Sequence, residues 1–242
     1  MSSGKAINSA SDDAAGLAVY TAMSVDYAAW EQAGDNAEVA TAILETADGG
    51  LSEIADILER MYELASQASS GSVTDTERAY LDDEFQELIS QVDSIVESTT
   101  YFDTSLLDGT YDENFTVSAD ASATAISVTI GTDYDSTGLG IAAADVTTST
   151  TAAAALTLIE TAIETVSAGR ASVGAMMSRF DYAAGNIETA KTNLESAMSV
   201  YMDADIAQLS ADQTELGVKM DSAIQALSVS NENLEKLSRL LS

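Results

Sequence analysis

LTLIETAIETVSAGRASVGAMMSRFDYAAGNIETAKTNLESAMSVY, residues 156–201, decides the fold. Its larger side chains fall at Leu156, Ile159, Ile163, Val166, Val173, Met177, Phe180, Ile187, Leu194, Met198 and Tyr201. The steps are threes, fours and their sums, so one face of one helix carries them all. Sustained over several heptads, that rhythm predicts a long helix packed against other long helices. At about 1.5 Å per residue it would run roughly 70 Å. Globular helices average only about 11–12 residues. Arg170 and Lys191 fall in the register of the seam, which is therefore not purely apolar. The chain has no proline, so no proline kink is imposed. Such a helix needs partners along its whole length, and the rest of the chain must supply them.

Upstream, residues 1–11 are small and polar and predict a loop. Asp12 and Asp13 then enter an apolar-periodic run, as N-cap and first-turn acids do. A first long helix is expected from about Asp13 to Ser69, with Ile43, Ala47, Leu51, Ile54, Leu58, Met61, Ala65 and Ala68 on its inner face. Gly34, Gly49 and Gly50 each weaken it by about 1 kcal/mol against alanine. Thr74 and Glu77 have capping-box spacing and open a second helix, expected over about Asp75–Glu97, with Leu81, Phe85, Leu88, Val92 and Ile95 inward. The short connection makes these two helices antiparallel neighbours. Between Tyr101 and Thr151 helical periodicity stops. FTVSAD (115–120) and AISVTI (125–130) alternate apolar and polar residues and predict a small β-hairpin. The acids Asp108, Asp112, Glu113, Asp133 and Asp135 in this segment do not follow the EF-hand order. They are read as solvated loop positions. From about Asp205 a ragged apolar stripe predicts a C-terminal amphipathic helix: Leu209, Leu216, Met220, Ile224, Leu227, Leu234, Leu237 and Leu241. The fold class is mainly α, an elongated antiparallel bundle of long helices with a small hairpin and a tail helix. In chain order the parts are a leading loop (1–11), two antiparallel helices (12–109), a short hairpin segment (110–150), the long helix (151–203) and the tail (204–242).

Composition excludes more than it assigns. There is no cysteine and no histidine, so thiol chemistry, disulfides and the commonest general base and metal ligand are missing. No catalytic, cofactor or metal site is expected. The net charge is −31, from 40 acids against 9 bases, which argues against nucleic acid and anionic lipid as partners. No run approaches the ~18–20 apolar residues of a membrane span, and MSSGKAINSASDD carries no apolar signal region.

The two ends of the chain resemble bacterial flagellins. SSGKAINSASDDAAGLAV (2–19) is similar to the segment leading into the family's first helix. STTYFDTSLLDG (98–109) resembles its turn out of the second. SAGRASVGAMMSRFDYAAGNIETAKTNLESAMSVYMDADIA (167–207) resembles its long C-terminal helix and the acidic joint after it, and LSRLLS resembles its leucine-rich end. The resemblance covers nearly everything outside residues 110–150. It departs at Met177 and Ser199, in its extreme acidity, and in placing Met1 directly before the SSG motif, where the family has an N-terminal arm. The hook–filament junction protein shares both ends but usually has proline after the acidic pair; here Ala14 and Ala15 follow Asp13.

The resemblance implies a structural subunit of the extracellular flagellar filament, exported unfolded without a cleaved signal, and no enzyme. Implied partners are further copies of the chain and an export chaperone that covers the tail stripe. A host Toll-like receptor is a third, through Arg60, Leu64 and Glu84. Without the family's arm, the chain alone is not expected to polymerise, and its tail is expected to order only against another chain or the chaperone.

Overall fold

A computed structural model describes residues 4–120 and 125–240. The elements are α1 (Ala14–Ser69), α2 (Asp75–Ser98), β1 (Thr100–Tyr101), β2 (Thr104–Ser105), β3 (Tyr111–Thr116), β4 (Ala125–Ile130), α3 (Ser149–Met202) and α4 (Ile206–Leu240). They group into two units: residues 28–191, and residues 1–27 together with 192–242.

In the 28–191 unit, α1 buries Ala40, Ala47, Leu51, Ile54, Leu58, Met61, Ala65 and Ala68 completely. α3 buries Ala152, Ala155, Ile159, Ala162, Val166, Val173, Met176, Phe180 and Ile187. Both sets step by three, four and seven, the heptad seam expected of long packed helices. Pairings fix the direction. Gly34 faces Ile187, Asp48 holds Arg170 at 2.9 Å, and Tyr62 donates to Glu160 at 3.3 Å. Numbers rising on α1 fall on α3, so the helices are antiparallel. The seam differs from the sequence reading in two ways. On α3 the alanines Ala152, Ala155 and Ala162, passed over in a search for large side chains, let the backbones approach. Met176 is the more buried methionine, with Met177 half-buried at the edge.

The turn into α2 follows from local hydrogen bonding. Thr74 and Glu77 form the reciprocal capping box. Arg78, only 7% exposed, donates from Nε to the Ala68 carbonyl at 2.8 Å and from Nη2 to the Ser70 carbonyl at 3.0 Å. Its Nη1 meets Asp75 at 2.8 Å. The Ala68 carbonyl lies in the last turn of α1, beyond reach of the helix's own amides; the Ser70 carbonyl, just past the helix, also accepts from Val73 N. Arg78→Ala should therefore cost about 1–3 kcal/mol, and Thr74→Ala about 1 kcal/mol, as read by thermal or denaturant unfolding. α2 buries Phe85, Ile89, Val92 and Val96. The expected inward Leu81, Leu88 and Ile95 sit half-buried one column to the side.

α1 runs unbroken through Gly49 and Gly50, and the two are not equivalent. A Cβ on Gly49 would meet nothing within 4 Å, whereas one on Gly50 would lie 2.7 Å from Thr99 Oγ1 and 2.9 Å from Leu107 Cδ1. Gly49→Ala should stabilise by up to about 1 kcal/mol through helix propensity. Gly50→Ala should destabilise by about 1–3 kcal/mol through overpacking. Equal shifts in the melting temperatures of the two variants would contradict this packing.

The hairpin corrects the sequence reading. β4 occupies 125–130 as expected, but its partner is Tyr111–Thr116, not 115–120, in the register Tyr111↔Ile130 to Thr116↔Ala125. Asp112 accepts from Thr129 Oγ1 at 2.8 Å on the outer face, while exposed Glu113 shares the side of Tyr111 and Phe115 and pairs with Val128. Tyr111 and half-buried Phe115 supply the inner contacts. β1 and β2, too short to leave a pattern, form a tight pair whose loop residues Phe102 and Asp103 have φ of 44° and 63°, as a two-residue type I′ turn requires. The loop that follows β4 is also part of the core. Tyr134, Leu139, Ile141, Ala144 and Val146 are buried. α2 pins the loop: Asp93 accepts from Ser136 N and Oγ at 2.7 and 3.0 Å, and Asp82 from Val146 N at 2.9 Å.

In the other unit, Asp13 Oδ1 accepts from Ala15 N and Gly16 N at 3.0 Å, the expected N-cap. Asp12 accepts from Asn8 N and Ser9 N and folds the leading loop. Residues 4–6 clasp the end of α3: Ala6 N donates to Met202 O, and Ala204 N to Gly4 O.

Candidate functional site

The apolar stripe on α4 is the best candidate. Asp205 starts this helix by accepting from Ala207 N and Gln208 N at 2.9 and 3.0 Å. Ser199 Oγ donates to Asp203 on the α3 side of the joint. The acids in MDAD therefore cap and turn the backbone. Leu209, Leu216, Met220, Ile224, Leu227 and Leu234 are 38–66% exposed. Their spacing of seven, four, four, three and seven puts them on one helix face. The Leu237 side chain and Leu241 lie outside the described residues. Ile206 extends the same face. Val218 and Val229, 62% and 56% exposed, project from the opposite side. A search for a single stripe misses these two, although they stand in plain view as large residues in a polar stretch. α4 thus offers apolar surface on two sides.

The receptor-type set is placed differently from what the resemblance implies. Arg60 and Glu84 are exposed and joined to each other at 2.7 Å, with Glu63 on Arg60 at 2.9 Å. These carboxylates, Glu84 first, raise the Arg60 pKa. Leu64 is 1% exposed and belongs to the core. Only the two charged members reach the surface.

In the 108–135 segment Asp108, Asp133 and Asp135 build turns, while Asp112 and Glu113 lie in β3. Asp108 accepts from Thr110 Oγ1 and N at 2.7 and 3.0 Å, and these bonds, the hydroxyl's first, hold its pKa low. Asp133 accepts from Asp135 N, and Asp135 from Gly138 N.

Comparison with known proteins sets these surfaces in context. Residues 1–112 match the bacterial flagellin N-terminal helical region, and residues 156–241 match the bacterial flagellin C-terminal helical region. A flagellin of Halalkalibacterium halodurans is 32% identical over 242 residues, covering all of this chain and 89% of the relative. One of Listeria innocua is 34% identical over 256 residues, with the same coverage. The crystal structure of Bacillus cereus flagellin superposes with a TM-score of 0.58 at 29% identity, over 68% of this chain and 94% of that one. A putative flagellar hook-associated protein of Vibrio parahaemolyticus gives 0.66 at 15% identity, over 79% and 99%, a likeness of fold alone.

Proposed function

This chain belongs to the bacterial flagellin family and is a structural subunit of the flagellar filament, not an enzyme; we propose that it joins its neighbours through the tail helix α4. The exposed apolar residues on both sides of that helix carry the reading. Fully burying each large one is worth about 1.5–3 kcal/mol, and a helix apolar on two sides suits a place among several neighbours. Copies of one chain meeting head-to-tail generate helical filaments when the rotation does not close. The same stripe, Leu209 to Leu234 with Leu237 and Leu241 beyond, is the surface an export chaperone would cover before assembly. The chain would then cross an export channel unfolded to reach the outside of the cell. In the protein as its cells produce it, removing residues 206–240 should leave the 28–191 unit folded by circular dichroism and reduce sedimentable polymer to background. Undiminished polymer would refute the tail's role.

The host-receptor reading is carried by the exposed Arg60–Glu84 pair on neighbouring helices. A receptor-reporter assay should respond to the intact protein and lose most of its signal with Arg60→Ala. Absence of any response to the intact protein would end it.

A further inference from the structure

The outer face of α3 between Ala168 and Thr189 is unlike the rest of this surface. Ala168, Ala171, Ser172, Ala175, Arg179, Tyr182, Asn186 and Thr189 follow helical spacing and are all exposed. None is acidic, in a chain with 40 acids among 242 residues. The two acids of this stretch, Asp181 and Glu188, lie about 180–200° of helical rotation from Arg179, at roughly 100° per residue. Tyr182 is 81% exposed. Among the described residues Arg179 has no ion pair or hydrogen bond. Its fellow cations Arg60, Arg78, Arg170, Lys191 and Lys219 are each tied to a carboxylate of their own chain. An Arg and a Tyr three residues apart, flanked by alanines that admit close approach, have the composition of an interface centre.

We propose that this face of α3, centred on Arg179 and Tyr182, docks on the acidic surface of a second copy of the chain. Charge selects the occupant. With a net charge of −31, almost any surface a neighbour presents is rich in carboxylates, and a face with its own acids would repel it. The α3 face removes the like charge and adds one uncommitted guanidinium, suited to a carboxylate in bidentate geometry. The tail supplies apolar contact, and this face supplies electrostatic complementarity that orients one copy on the next.

The proposal rests on the filament reading, and one experiment separates the two. Monomer prepared from the protein as its cells produce it is added to seeds sheared from wild-type filaments. The monomer left in solution at plateau is measured by sedimentation. Arg179→Gln should raise it about tenfold and Tyr182→Ala several-fold. Arg179→Lys, which keeps the charge but not the bidentate fork, should raise it less than Arg179→Gln does. Gln67→Glu, which makes the same one-unit change in net charge at an exposed site on α1, should leave it unchanged. Residual monomer within twofold of wild type for both Arg179→Gln and Tyr182→Ala would overturn the proposal and leave the face to a partner of another class. An equal rise with Gln67→Glu would overturn it too, by reducing the effect to net charge. Wild-type monomer that fails to add to seeds would instead overturn the filament reading.

Discussion

Replacing both Ile224 and Leu227 with aspartate is expected to abolish filament formation while leaving the monomer's fold and melting temperature unchanged. The two side chains are 58% and 63% exposed in the isolated chain, so their loss removes no substantial packing within it. In an assembled tail they would be buried, at about 1.5–3 kcal/mol each. Losing both corresponds to roughly a hundredfold to ten-thousandfold rise in the monomer concentration needed for growth, at 1.4 kcal/mol per tenfold. Aspartate adds the desolvation of two further anions, which burial opposes strongly. Ser222→Asp, on the side of the helix that carries Val218 and Val229, adds one charge without removing apolar area and should have a smaller effect. Sedimentation with electron microscopy reads polymer, and circular dichroism reads the fold. Normal filaments from the double variant would show that the stripe is not an assembly surface.

That stripe was legible in the sequence because it is amphipathic over some thirty residues. The long helices were legible for a related reason: heptad spacing is a one-dimensional record of a packed face. What the sequence concealed needed a partner in space. Ala152, Ala155 and Ala162 are fully or almost fully buried, yet alanine is common on every face of these helices and marks none. The hairpin register slipped because Phe115 and Val117 alternate as a strand should, while Asp112 and Glu113, which do lie in the strand, look like loop. Tyr134 is 3% exposed inside a stretch with no period; its burial depends on Gly169, where an added Cβ would clash with the ring. Leu64 entered the receptor set by resemblance, although it follows Met61 by three on the inward face that the spacing already marks, and there it is buried. The α3 face around Arg179 was hidden for the opposite reason. An absence of acids becomes informative only when the neighbouring cations are seen to be already paired.

Raising NaCl from about 0.05 M to about 1 M at neutral pH is expected to lower the monomer concentration in equilibrium with filaments at least tenfold and to raise the melting temperature of the monomer. With 40 acids against 9 bases, both folding and assembly bring like charges together. The Debye length is about 8 Å at physiological ionic strength and about 3 Å at 1 M, so much of the repulsion between facing surfaces fades over this range. The in-chain pairs do not reverse the trend. Arg60 and its acids are about half-exposed, and exposed pairs contribute little even at low salt. Protonation acts on the same balance. Asp12 and Glu77 are held below the ordinary carboxylate range by backbone donors, from Asn8 and then Ser9, and from Thr74. Asp145 is held low by the Thr147 hydroxyl first. A carboxylate whose folded pKa is depressed contributes stability that is present above its unfolded pKa, near 4, and lost as the pH falls through the folded value. These turn-building acids therefore favour the fold at neutral pH, where the salt response reports the chain's excess of acids over bases. One consequence joins this to the α3 face. A contact made by Arg179 is attractive and is itself screened, so the penalty of Arg179→Gln should shrink as salt rises while wild-type assembly improves. A flat or falling assembly trend with salt would mean that like-charge repulsion does not limit this filament.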